Sequence, residues 1–221
     1  MGGIKSTIGC GAGNQDNCRS ILSNRRNKII YFIRIIDYLQ QFLLYNIIRG
    51  EENVEIERKW LIKTEKIPFD LASCSRIHID QAYVSFSPTI RIRDVDHGRK
   101  YLLTVKTKAA GFDPDLAKNE YESEISAEEY GQLMQIARGN IVSKTRYINN
   151  GDNGYRYEID IFEGLLKGLA YLEIEFDDND AATGFPDPEW VECDVTYLSD
   201  YKNSSLAKYG IPEQKNEKGE K

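Results

Sequence analysis

Glu55-Ile56-Glu57-Arg58-Lys59-Trp60-Leu61-Ile62 places Glu55, Glu57 and Lys59 on one parity of a period-two pattern, the mark of a β-strand with one charged face. The same arrangement recurs along the chain. Thr89–Arg93 aligns Arg91 with Arg93, and Tyr101–Lys108 aligns Thr104, Lys106 and Lys108. Asn119–Ile125 aligns Glu120, Glu122 and Glu124, while Ser143–Tyr147 aligns Lys144 with Arg146. Tyr155–Phe162 aligns Arg156, Glu158 and Asp160, and Tyr171–Asp177 aligns Glu173, Glu175 and Asp177.

Any one of these segments reads as an ordinary half-buried strand with its charged side in water. Together they segregate by sign, three mainly cationic and four mainly acidic. Like charges at i and i+2 repel, so a merely solvated face has no reason to collect them. A closed barrel with a charged lumen does have one, because its cationic and acidic strands meet across a polar interior. The expected fold is α+β but mainly β: an antiparallel β-tunnel with a few flanking helices. Ser126 and Glu129 form a capping box before a helix over Glu128–Ala137, with Gly139 at its end. Ser199 or Asp200 is expected to cap a short C-terminal helix stopped by Gly210 and Pro212.

The 221 residues are enough for one domain with a substantial core, and 41% apolar with 29% charged residues reads as globular and soluble. A net charge of −6 argues against nucleic-acid duplex binding. The charge is uneven: residues 1–50 carry +5, leaving −11 for the rest. Cys10, Cys18, Cys74 and Cys193 show no metal-site or disulfide spacing and fit a reducing, cytoplasmic location. His78 and His97 read as loop or surface residues.

Residues 1–53 are expected to form an N-terminal extension outside the folded domain. Met1–Asn27 has the Gly/Asn/Ser-rich composition of a disordered segment. Ile29–Ile48 reads as an amphipathic helix with a polar stripe of Arg34, Asp37 and Gln41. Its twelve Ile, Leu and Phe residues favour membrane insertion by about 4–7 kcal/mol, while Arg34 and Asp37 oppose it by about 5–7. Peripheral membrane contact or packing on a partner is therefore expected rather than a transmembrane span. Met1–Ser6 fits the short N-myristoylation pattern, with Cys10 nearby, and no signal-peptide h-region precedes a cleavage site. The composition break before Val54 equally fits a segment upstream of the true start. Residues 54–210 form the expected tunnel domain, and 211–221 a charged tail.

Carboxylates clustered without His or Cys suit hard cations such as Mg²⁺ or Mn²⁺, which take oxygen ligands. Arg and Lys on facing strands suit a polyanion, Arg by bidentate contacts and Lys as a point charge. The combination describes a site for a metal–polyphosphate chain, where catalysis is positioning and charge stabilisation. No P-loop, kinase-type Gly-rich loop or nucleophile elbow supports a rival enzyme class.

The opening E-x-E-x-K strand resembles that of the CYTH family, the triphosphate tunnel metalloenzymes. Gln81-Ala82-Tyr83, Arg91-Ile92-Arg93, Leu103-Thr104-Val105-Lys106 and Glu120–Ile125 are similar, in order, to the family's next strands. Lys144-Thr145-Arg146-Tyr147, Tyr157-Glu158-Ile159-Asp160 and Leu172-Glu173-Ile174-Glu175 continue the series, and Val195-Thr196 with Tyr201–Leu206 resembles the C-terminal helix.

The resemblance implies an eight-stranded closed tunnel that binds a small-molecule triphosphate with one or two divalent metals. It implies phosphate contacts from Lys59, Arg91, Arg93, Lys106, Lys144 and Arg146. Metal ligands are implied among Glu55, Glu57, Glu122, Asp160, Glu173 and Glu175, and catalytic roles for Glu55, Glu57, Lys59 and Asp160. Hydrolysis of inorganic triphosphate is the expected activity. Thiamine triphosphatase, class IV-type adenylate cyclase and a non-catalytic polyphosphate sensor are the alternatives; the presence of both E-x-E pairs favours an enzyme.

Overall fold

The computed structural model describes residues 54–113, 115–151 and 153–213. The expected N-terminal extension, including the helix at 29–48, lies outside the described residues, as does most of the 211–221 tail. Among the described residues no helix is long and apolar enough to cross a membrane.

Nine strands form one antiparallel sheet: β1 Val54–Ile62, β2 Ser75–Phe86, β3 Thr89–Val95, β4 Lys100–Lys108, β5 Ala117–Ile125, β6 Arg138–Asn150, β7 Arg156–Phe162, β8 Ala170–Phe176 and β9 Val191–Asp194. Eight of them close a barrel in the order β1-β8-β7-β6-β2-β3-β4-β5, with β5 returning to β1. The closure is short, pairing Val54, Glu55 and Ile56 with Asn119, Lys118 and Ala117. β9 pairs with the far end of β1, from Trp60 to Ile62. The eight-stranded tunnel expected from the resemblance is present, with this ninth strand added.

Register converts the sequence parity into an interior. Glu57 stands opposite Glu175 and Lys59 opposite Glu173; Arg146 stands opposite Asp160, and Lys106 opposite Glu120. The other parity faces outward and is covered. Ile56, Trp60, Ile159, Leu172, Ile174 and Phe176 are buried beneath Phe69, Leu71, Phe185 and Trp190, which the segments after β1 and β8 bring over the wall. Each such large apolar side chain, fully buried, stabilises the fold by about 1.5–3 kcal/mol. Arg58, on the outward parity, ties this cover down through Asp187 at 2.6 Å, Asp194 at 2.5 Å and the Phe185 carbonyl at 2.6 Å.

Helix α1, Ala127–Met134, has the expected capping box: Ser126 Oγ accepts from Glu129 N–H while the Glu129 carboxylate accepts from Ser126 N–H. It ends earlier than the sequence suggests, because Gly139, with φ 74°, serves inside β6 instead of capping the helix. A Cβ there would lie 2.7 Å from the Ala207 carbonyl oxygen, so glycine lets the C-terminal helix abut β6. A second short helix, α2, covers Asn179–Gly184. Helix α3, Asn203–Tyr209, starts after a 3₁₀ turn at Ser199–Tyr201, so neither Ser199 nor Asp200 caps it. Gly210 ends it at φ 80° as expected. Leu206 of α3 packs with Tyr83, Phe162 and Tyr171 in a second buried apolar cluster.

Candidate active site

The lumen divides into two charge clusters. On β6, β7, β8 and β1, Arg146 makes a bidentate contact to Asp160, with both bonds at 2.7 Å, and a third contact to Glu173 at 2.5 Å. Arg146 also donates to Glu158, and Lys144 pairs with Asp160. Lys59 pairs with Glu173 at 2.8 Å and stands 5.2 Å from the centre of the Tyr171 ring. Asp160 is wholly buried. On β3, β4, β5 and the start of β1, Arg91 reaches Glu120 at 3.0 Å and Lys106 reaches it at 2.6 Å. Lys106 also pairs with Glu55, and Arg93 with Glu122. Thr104 donates to Glu122 at 3.0 Å.

The pairing sets the protonation states. Burial alone would raise Glu173, but Lys59, Lys144 and Arg146 hold its carboxyl well below the usual range. Burial would lower Lys59, yet Glu173 and Glu57 reverse this and raise it. Lys144 is lowered, by burial and then by neighbouring Arg146. Glu120 is held low despite burial, by Arg91 and Lys106. Glu55 goes the other way: burial, only partly offset by Lys106, pushes it up to about 8. Glu175 is raised by burial and then by Glu158, Glu57 and Glu120.

Glu57 and Glu175, opposite one another in register, make no ion pair among the described residues. Two facing carboxylates with no ion-pair partner are an all-oxygen donor set short of positive charge. That chemistry fits a hard divalent cation. Among the described residues no three such groups already stand in metal-holding geometry.

Two cavities occupy the lumen and share Glu55, Glu57, Arg91, Lys106 and Asn203 as a common wall. The inner one, about 90 Å³, reaches Arg93, Lys144, Arg146, Glu158 and Glu175. The outer one, about 420 Å³, opens between the β2–β3 hairpin, the β4–β5 end and the start of α3.

Two curated relatives align with this region. An inorganic triphosphatase of Nitrosomonas europaea is 34% identical over 155 residues, covering 69% of this chain and 96% of the relative. The chain belongs to the CYTH family. An inorganic triphosphatase of Acetivibrio thermocellus is 29% identical over 155 residues, covering 70% of this CYTH chain and 93% of the relative. A crystal structure of an inorganic triphosphatase superposes with a TM-score of 0.51 at 32% identity, covering 69% of this chain and 93% of that one. No protein-family model matches the sequence.

In this CYTH tunnel the residues singled out from sequence part company. Lys59, Arg91, Arg93, Lys106, Lys144 and Arg146 all line the two cavities. Of the six carboxylates, Glu55 is engaged by Lys106, Glu122 by Arg93, Asp160 by Lys144 and Arg146, and Glu173 by Lys59 and Arg146. Glu57 and Glu175 remain. His78 and His97 stack on each other at 4.4 Å, on the outward parity of β2 and in the β3–β4 turn.

Glu120 and Glu158 also line the inner cavity, and their strand parity already marked them. Gln81, Tyr83 and Asn203 carried no charge to mark them. Gln81 donates to the Tyr83 hydroxyl at 2.6 Å, both side chains being fully buried in the lumen.

Proposed function

We propose that this CYTH protein hydrolyses inorganic triphosphate to pyrophosphate and orthophosphate with the help of Mg²⁺ or Mn²⁺. The reading rests on one arrangement: cations from β3, β4 and β6 and unpaired carboxylates from β1 and β8 converge on a single polar lumen, in a chain 34% identical to an inorganic triphosphatase. In the reaction the oxygen of a water bonds to a terminal phosphorus, the bridging P–O bond breaks, and pyrophosphate leaves with its electron pair. The water's proton is released.

Arg91, Arg93 and Lys106 are the phosphate clamp. They are held in place by Glu120 before substrate arrives, so a phosphate group exchanges one anion for another without reorganising the wall. Arg146, fixed by Asp160, offers a pre-set guanidinium to the inner end of the chain. A divalent cation held by Glu57 and Glu175 would neutralise charge on the phosphate oxygens. Glu173 serves the fold of the site, since Lys59 and Arg146 already claim it.

The test is phosphate release from triphosphate, ATP, thiamine triphosphate and pyrophosphate, each with Mg²⁺ and with Mn²⁺. Triphosphate is expected to give kcat/KM at least about 10-fold above the others, a difference of about 1.4 kcal/mol in transition-state binding. Cyclic nucleotide formed from ATP would point to a cyclase instead. Binding of triphosphate with no turnover of any compound would leave a sensor.

A further inference from the structure

The outer cavity has a feature that clamping three phosphates does not use. Lys108 and Lys118 stand directly opposite each other on β4 and β5, on the lumen parity, and both line the outer cavity. Like charges in direct cross-strand register repel. Among the described residues neither lysine has a carboxylate within ion-pair distance, whereas Lys106 one step inward is paired twice and Lys202 across the mouth is paired with Asp115 at 2.5 Å. The lining as a whole has the same bias: six cations against three carboxylates in the outer cavity, five against six in the inner one.

From this we infer that the polyphosphate anion is admitted through this mouth, Lys108 and Lys118 forming an outer capture site that engages a phosphate group before Lys106 and Arg91 do. The assignment rests on the triphosphate reading above and adds a direction to it. An uncompensated positive rim around a low-dielectric cleft focuses its field outward and raises the local concentration of an anion. The repulsion between the two lysines is relieved while a phosphate lies between them. The anion then passes to Lys106 and Arg91, which already hold their carboxylate partner in the same wall.

The test compares Lys108→Gln/Lys118→Gln with a charge-matched control, Arg76→Gln/Lys167→Gln, whose cations lie off the tunnel. Wild type and both variants are assayed with triphosphate from about 10 to about 150 mM salt, which shortens the screening length from about 30 to about 8 Å. The mouth variant is expected to lose roughly 10-fold in kcat/KM at low salt, with the loss in kcat/KM rather than kcat, and to show a flatter salt dependence. Melting temperature, measured alongside, is expected not to fall, since a repelling pair has been removed. The inference is overturned if the mouth variant keeps the wild-type kcat/KM and salt slope. It is equally overturned if the control flattens the slope as much, since net charge and not the mouth would then be responsible. The association rate constant of triphosphate on immobilised protein is measured in parallel. Wild type that binds without turnover sinks the hydrolase reading alone, and binding that ignores the mouth lysines sinks only this one.

Discussion

The β6–β7–β8 side of the lumen and the side formed by β3, β4, β5 and the start of β1 use the same residue types but differ in how their charges are balanced. Around Arg146 every carboxylate has a cation, and Asp160 and Glu173 are so enclosed that they have little other use. At the start of β1 the pairing is incomplete: burial pushes Glu55 up to about 8 despite Lys106, and Glu57 faces Glu175 with no ion-pair partner among the described residues. A self-neutral knot holds geometry and keeps Arg146 aimed into the cavity, but it has no unpaired carboxylate for a cation. A cluster short of positive charge is poorly satisfied by itself and gains when a cation arrives. The two meet on β1 and β8, where Lys59 and Glu173 belong to the knot and Glu57 and Glu175, one step along, do not.

The largest effect should come from cutting the knot. Arg146→Ala removes one cation from each of Asp160, Glu158 and Glu173 at once, leaving one each in Lys144, Arg156 and Lys59. Breaking a buried pair from one side costs about 3–5 kcal/mol, because the other charge is stranded. Urea unfolding should register that loss, and Arg146→Lys should recover only part of it for want of the planar fork. An Arg146→Ala variant as stable as wild type would mean that Lys144 and Lys59 alone balance Asp160 and Glu173, and Arg146 would not be the centre of the knot.

The two sides should also answer pH with opposite signs. Glu173, held low in the folded state, contributes stability that is fully present above its ordinary value of 4.5 and is lost as pH falls below it. Glu55 is raised from 4.5 to about 8. Between those values the folded chain keeps a proton that the unfolded chain has released, so stability in metal-free buffer falls as pH rises through that window. The slope is at most about 1.4 kcal/mol per pH unit. Glu55→Gln should flatten it. If the slope is the same in wild type and variant, another group is responsible.

What the sequence made readable was the charged wall, and the reason is physical. A charge that cannot face apolar cover must face the lumen or water, so parity alone assigned β1, β3, β4, β5, β6, β7 and β8. On β2 the inward residues are Ile77, Ile79, Gln81 and Tyr83, identified by register with Arg146, Lys144, Arg93 and Arg91. Its charges, Arg76 and Asp80, sit on the outward parity, so that strand showed only through family resemblance. Nor does parity say where the barrel ends: Glu124 and Asp177 continue the pattern, yet both are exposed as their strands run out of it. Arg58 looked like one more charge in E-x-E-R-K and instead latches the outer cover. Which carboxylates are free was unreadable, because it depends on cross-strand partners far apart in the chain, as with Lys59 and Glu173.

The smallest effect, and the one that most directly tests the cation-poor side, is Glu175→Gln. Glu175 faces Glu57 in register and is raised by burial and by Glu158 and Glu57. Like charges directly opposite cost about 0.2–1 kcal/mol, so without metal the amide should stabilise the protein, raising Tm by up to about 2–4 °C. Adding Mg²⁺ reverses the order. Wild type gains stability in proportion to how tightly its folded form binds the ion, while the variant has lost half of the facing pair and should gain less. The crossing of the two Tm series with rising Mg²⁺ is the signature, and it needs no substrate and no turnover. Equal gains in wild type and variant would remove Glu175 from the cation site and leave Glu57 to find another partner in the lumen.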